Sequence, residues 1–71
     1  MDVVQTVLDA ARNNDWEAVR LHLRPYLHWY DASGEVRGRN NVLMLLKRGD
    51  APAAPAAYEL RNGQIYRWWN A

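Results

Sequence analysis

Apolar residues recur at helical spacing along the first part of the chain. Val3, Val4, Val7, Leu8 and Ala11 fall on one stripe, which predicts an amphipathic helix over residues 2–13. Asn13-Asn14 interrupts the stripe. Asn14 with Glu17 three positions on has the form of a capping box, so a second helix is expected to start there. Trp16, Val19 and Leu23 make its inner face. Arg24-Pro25 ends it, because the residue before a proline is pushed out of the α region. The result is a helical hairpin with a very short joint.

The period then changes from helical to alternating. Tyr26-Leu27-His28-Trp29-Tyr30-Asp31 is rich in strand-forming aromatics. Alternation puts Leu27, Trp29 and Asp31 on one face and His28 and Tyr30 on the other. Ala32-Ser33-Gly34-Glu35 reads as a turn. A third helix follows, with Asn40 as N-cap, Lys47 and Arg48 in the last turn and Gly49 just past its end. Its body, Val42 to Leu46, is apolar all the way round, the mark of a helix buried on both sides; a partner subunit would supply the second side.

Residues 50–56 form a Pro/Ala linker of extended, polyproline-like character. Asn62-Gly63 between Tyr58–Arg61 and Gln64–Trp69 is a strong hairpin signal of the type I′ kind. That turn sets Leu60 opposite Ile65, Glu59 opposite Tyr66 and Tyr58 opposite Arg67. One face then carries Tyr58, Leu60, Ile65, Arg67 and Trp69, and the other Glu59, Arg61, Tyr66 and Trp68. The element order is ααβαββ. It describes an α+β domain in which an αα-hairpin, a strand, a helix and a C-terminal β-hairpin build a small antiparallel sheet packed on helices.

Composition sharpens this. Seventy-one residues make one domain, spanning 1–71, and a chain of this size buries only about 60% of its unfolded surface. Small domains compensate with disulfides, a metal or oligomerisation. No cysteine is present, and His22 and His28 alone cannot build a structural metal site. Oligomerisation, with a homodimer as its simplest form, is the remaining route. The four Trp and four Tyr, with no Phe, suit interfaces and pocket walls, or equally a filled core. The net charge of +1 with interleaved signs argues against nucleic acid as a partner. No apolar run approaches the roughly 20 residues that cross a bilayer. Met1 to Gln5 lacks the basic start and long apolar stretch of a signal peptide, so the expected location is cytoplasmic. There is no Gly-rich phosphate loop, nucleophile elbow or metal spacing, so no cofactor and no metal are expected.

Four segments taken in order carry a resemblance. Asn14-Asp15-Trp16-Glu17-Ala18-Val19, Leu27-His28-Trp29-Tyr30-Asp31, Gly34-Glu35-Val36-Arg37-Gly38-Arg39-Asn40-Asn41-Val42 and Glu59-Leu60-Arg61-Asn62-Gly63-Gln64-Ile65 resemble the nuclear transport factor 2-like superfamily. The nearest branch is the SnoaL-like and ketosteroid isomerase-like one. The resemblance implies a cone-type curved sheet wrapped around a pocket. The strands that family carries between the third helix and the last hairpin are replaced here by the Pro/Ala linker. It therefore implies a minimal SnoaL-like domain in which either a partner's strands complete the missing wall or no deep pocket exists.

The same resemblance places Asp31 where the isomerase-like branch has its general base, a carboxylate at the end of the first strand that moves a proton beside a carbonyl. Read from the residues alone, Asp31 is first the residue that caps or begins the Ala32-Ser33-Gly34 turn. The family's helix-borne tyrosine is Val7 here, and its protonated aspartate falls in the strands this chain lacks, so an oxyanion hole is not apparent. Trp16, Trp29, Tyr58, Trp68 and Trp69 are candidates to line a pocket for a hydrophobic small molecule, or to anchor a core or an interface. The expected function is a homodimeric small-molecule-binding domain, with proton transfer, cyclisation or epoxide opening as the reactions implied by the family. The alternative is a non-catalytic assembly module that uses its aromatic sheet as interface.

Overall fold

The computed structural model describes residues 2–32, 34–49 and 52–70. Ser33 of the expected turn and Asp50 and Ala51 of the expected linker lie outside the described residues. Helix α1 spans Val3–Arg12. It starts where the Val4 N–H donates to the Asp2 carboxylate at 2.9 Å, which satisfies one of the four otherwise unpaired N–H groups of a first helical turn. Val4, Val7, Leu8, Ala10 and Ala11 are buried.

Helix α2 spans Trp16–Leu21, and its N-cap is Asp15 rather than Asn14; the Asp15 carboxylate accepts the Ala18 N–H at 3.2 Å. Asn14 adopts a left-handed conformation (φ 57°) to make the tight joint, which moves the cap one residue on. The helix stops well before Pro25. His22 ends it, with its Nδ1 donating to the Ala18 carbonyl at 2.7 Å, and Leu23 is already the first residue of strand β1 (Leu23–Asp31). Pro25 is tolerated inside β1 because the β1–β4 ladder shifts register between Leu23 and His28, and the ladder with the neighbouring hairpin strand begins only at His28.

That neighbour, β2 (Gly34–Arg37), replaces part of the expected turn: Asp31 pairs with Gly34, Tyr30 with Glu35, Trp29 with Val36 and His28 with Arg37. Helix α3 spans Arg39–Arg48 and begins at Gly38 (φ 90°) rather than Asn40, without a side-chain cap; Gly49 follows it as expected. Only Val42, Leu43 and Leu46 of its apolar body are buried, while Met44 and Leu45 are exposed. The helix therefore has one inner face, not two.

β3 (Ala57–Arg61) and β4 (Gln64–Trp69) form the C-terminal hairpin, with Asn62 at φ 52° and Gly63 at φ 76°. These two positive φ values are what a type I′ turn requires. Leu60 pairs with Ile65 as the turn predicts. Beyond it the register shifts, so that Glu59 pairs with Arg67, Tyr58 with Trp68 and Ala57 with Trp69. Tyr66 is the extra residue of a β-bulge. The faces change accordingly: Tyr58, Leu60, Ile65 and Trp68 share one side, and Glu59, Arg67 and Trp69 the other. The bulge lets Ile65 and Trp68, three apart in sequence, both turn inward.

Among the described residues the sheet has four strands in the order β2-β1-β4-β3, and β1 and β4 run parallel. The expectation of three antiparallel strands is thus corrected twice. A parallel pair needs a long crossover, which α3 and the Pro/Ala segment supply. On the helix side, Leu23, Leu27, Trp29, Ile65 and Trp68 meet Val4, Val7, Leu8, Val19, Val42, Leu43 and Leu46 in the core. Trp29 and Trp68 stack with ring centroids 4.7 Å apart. No helix among the described residues is long and apolar enough to cross a membrane.

Candidate functional site

Two sides of the sheet carry different chemistry. On the helix side, Leu27, Trp29 and Asp31 form the alternating row expected from the sequence. Trp29 is 2% exposed and lies beside its cross-strand partner Trp68, which is 0% exposed. The Trp68 indole N–H donates to Asn70 Oδ1 at 2.9 Å, and the Asn70 amide donates to the Tyr30 carbonyl at 3.3 Å, so the polar edge of the ring is tied through Asn70 to β1. Asp31 is half-buried at the last position of β1, opposite Gly34. Trp16 opens α2 and packs on the core from outside. Tyr58, the cross-strand partner of Trp68, is 47% exposed, and Leu60 beside it is 40% exposed. Trp69 lies on the opposite face, its ring stacked on Tyr30 at 5.3 Å. The structure thus brings Trp29, Trp68 and Tyr58 together and sends Trp69 elsewhere.

The open face carries a cluster that the sequence reading did not assemble. Cross-strand pairing sets Glu35 beside Tyr30 and Arg37 beside His28. The His28 Nδ1–H donates to Glu35 Oε2 at 2.9 Å, and the Arg37 Nε–H donates to Glu35 Oε1 at 2.8 Å. These hydrogen bonds, with a further one from Tyr30, hold the Glu35 carboxyl below the ordinary carboxylate range. The Tyr30 phenol is pushed up, first by desolvation and then by Glu35.

The rings continue the cluster toward β4. His28 stacks on Tyr30 at 6.3 Å and meets Tyr66 edge-to-face at 5.5 Å. The Arg61 guanidinium lies 3.9 Å from the Tyr66 ring centroid, and Arg67 lies 5.1 Å from it. Arg67 is anchored by Glu59 at 2.8 Å, which raises its already high pKa. Beside this cluster a groove of about 400 Å³ opens between Tyr26, His28, Arg37, Gly38 and Tyr66. The missed signal was the alternation in Gly34-Glu35-Val36-Arg37, which places Glu35 and Arg37 on one face once these residues are read as a strand. Among the described residues no group of three or more His, Asp or Glu converges to hold a metal.

No family profile matches the chain, and no curated protein sequence matches it. Solved structures do. An NTF2-like protein of unknown function from Cytophaga hutchinsonii superposes with a TM-score of 0.81 at 12% identity, over 96% of this chain and 84% of that one. A protein from Kribbella flavida assigned as a ketosteroid isomerase gives 0.76 at 14% identity, over 97% of this chain and 76% of that one. An LEH-like epoxide hydrolase from M. tuberculosis gives 0.73 at 18% identity, over 94% and 77%. Identities this low speak for architecture and leave activity to be argued from the site. With three helices on one face of an open, four-stranded mixed sheet, the chain has the nuclear transport factor 2-like fold.

Proposed function

We propose that this chain is a small-molecule-binding domain that works as a homodimer, a second copy completing the wall on the helix side of its sheet. The observation that carries this reading is the state of β3. Tyr58 and Leu60 share a side with the buried Trp68 and Ile65, yet they remain 47% and 40% exposed. β3 is also an edge strand. Apolar side chains on an uncovered edge are a template for another chain. The similar structures, among them an LEH-like epoxide hydrolase and a protein assigned as a ketosteroid isomerase, support a small organic ligand.

In this reading the ligand lies against Tyr58 and Trp16, with Trp29 and Trp68 as the packed floor, and Asp31 at the open end of its row acts as general base in proton transfer on a hydrophobic substrate. Trp69 serves the other face. The test is native mass spectrometry of freshly purified protein. The expected result is a dimer carrying an apolar molecule, with Asp31→Asn keeping both the dimer and the molecule but losing its turnover. A ligand-free monomer would refute the proposal.

One observation favours the second reading, a non-catalytic assembly module. The Trp29–Trp68 stack fills the interior of the protomer, with both rings 2% exposed or less. A dimer that never carries a small molecule, under gentle purification and after soaking with hydrophobic candidates, would select this alternative.

A further inference from the structure

We infer that the groove on the open face of the sheet, bounded by Tyr26, His28, Arg37, Gly38 and Tyr66, is a separate binding site whose ligand is a small aromatic carboxylate. It lies across the sheet from the Trp29–Trp68 core and shares no residue with the surface over Tyr58 and Leu60. It therefore stands or falls independently of the dimer.

Size and shape come first. About 400 Å³ holds a molecule of one or two rings. Gly38 contributes backbone only to the lining, so a flat ring can approach closely. That backbone is fixed: the Gly38 N–H donates to the Leu27 carbonyl at 2.9 Å, and the Asn41 amide donates to the Arg37 carbonyl at 3.0 Å. The ring walls are fixed as well. Glu35 holds the His28 imidazole through Nδ1, Tyr30 backs it, and Arg61 covers the Tyr66 ring. A wall already in place spares a ligand the entropy of ordering it. Tyr26, 83% exposed, offers a further ring with almost nothing over it.

Charge decides the class of ligand. The groove is lined by one arginine and one histidine and by no acidic side chain. The nearest carboxylate, Glu35, is already engaged by His28, Arg37 and Tyr30. Arg37 uses Nε for Glu35, so the planar fork of its guanidinium is oriented by that bond while most of its side chain faces solvent. A guanidinium at the rim of an aromatic slot pairs with a carboxylate on a flat ring and has no comparable interaction with a neutral one.

The experiment is a heteronuclear NMR titration of the full chain with benzoate and indole-3-acetate, set against the neutral benzamide and indole. The carboxylates are expected to shift the His28, Gly38 and Tyr66 resonances saturably, and to bind roughly tenfold or more tighter than their neutral counterparts. Arg37→Gln should bring both classes to the weaker affinity while leaving the remaining spectrum in place, and Arg37→Lys should restore part of the difference. Tyr26→Ala should weaken charged and neutral rings alike. Equal affinity for both classes, saturable shifts that map to other residues, or no saturable shift at millimolar probe would each overturn the assignment.

Discussion

Trp68 shows how much a single side chain carries in a domain of this size. It has no exposed surface, stacks on Trp29 and spends its one polar atom on Asn70. Replacing it by alanine removes the stack and leaves a cavity, an expected loss of about 3–5 kcal/mol. The whole stability of a 71-residue chain is about 4–11 kcal/mol. Urea denaturation followed by circular dichroism should therefore find Trp68→Ala less stable by about 3–5 kcal/mol, a large share of that total, and a loss under about 1 kcal/mol would contradict the packing described. Glu35 acts through protons instead. Its folded-state pKa lies below the ordinary 4.5, held there first by the His28 hydrogen bond and then by Arg37. The unfolded chain thus takes up a proton on Glu35 at higher pH than the folded one. The stabilising contribution is present above about pH 4.5 and is lost as pH falls through the folded value. Glu35→Gln is expected to be less stable than the native chain at pH 7, with the gap closing below pH 4.5; a gap that widens in acid would reverse the sign. Glu17, lowered in the same sense by Arg20, is common to both proteins and drops out of the comparison. Alternation alone places His28 and Tyr30 opposite Asp31, but a turn over residues 32–35 gives Glu35 no face, and only the strand Gly34–Arg37 does.

At the scale of elements, the hairpin shows both the reach and the limit of local signals. Asn62-Gly63 specified its turn, and the Leu60–Ile65 pair followed from it. The bulge at Tyr66 did not follow, because it serves a distant need: Ile65 and Trp68 must both face the helices. A local pattern cannot state that. The turn itself is open to test. Gly63 has φ 76° and open space where a Cβ would be, so Gly63→Ala adds backbone strain without a clash. The expected cost is about 1 kcal/mol, or roughly 4–8 °C in Tm for a domain of this size. An unchanged melting temperature would argue against the type I′ geometry. α3 teaches the same lesson from the other side. Five apolar residues in a row suggest burial all round, yet Met44 and Leu45 are exposed, because among the described residues α3 packs through the face of Val42, Leu43 and Leu46. α2 ended early because β1 claims Leu23 for the core, ahead of the proline that local rules pick as the stop.

For the whole molecule, the fold was legible in four short segments whose order matched a known pattern, although none was specific by itself. What they did not disclose was the parallel pairing of β1 with β4, since the choice of strand neighbours across a long crossover depends on the assembled core. Nor did they show that the Trp29–Trp68 stack closes the interior of the protomer, or that the open face gathers an acid–base cluster. β3 is an edge strand whose Tyr58 and Leu60, on the helix side, are 47% and 40% exposed among the described residues. Leu60 is the place to probe this surface, since a charge there meets solvent in a lone protomer and apolar surface in a dimer. Sedimentation velocity of the native chain at micromolar concentration, run beside Leu60→Glu, measures it directly. We expect the native chain to sediment as twice its 8.3 kDa mass and the variant as a folded monomer. A native chain that sediments as a folded 8.3 kDa monomer across that range would contradict the account.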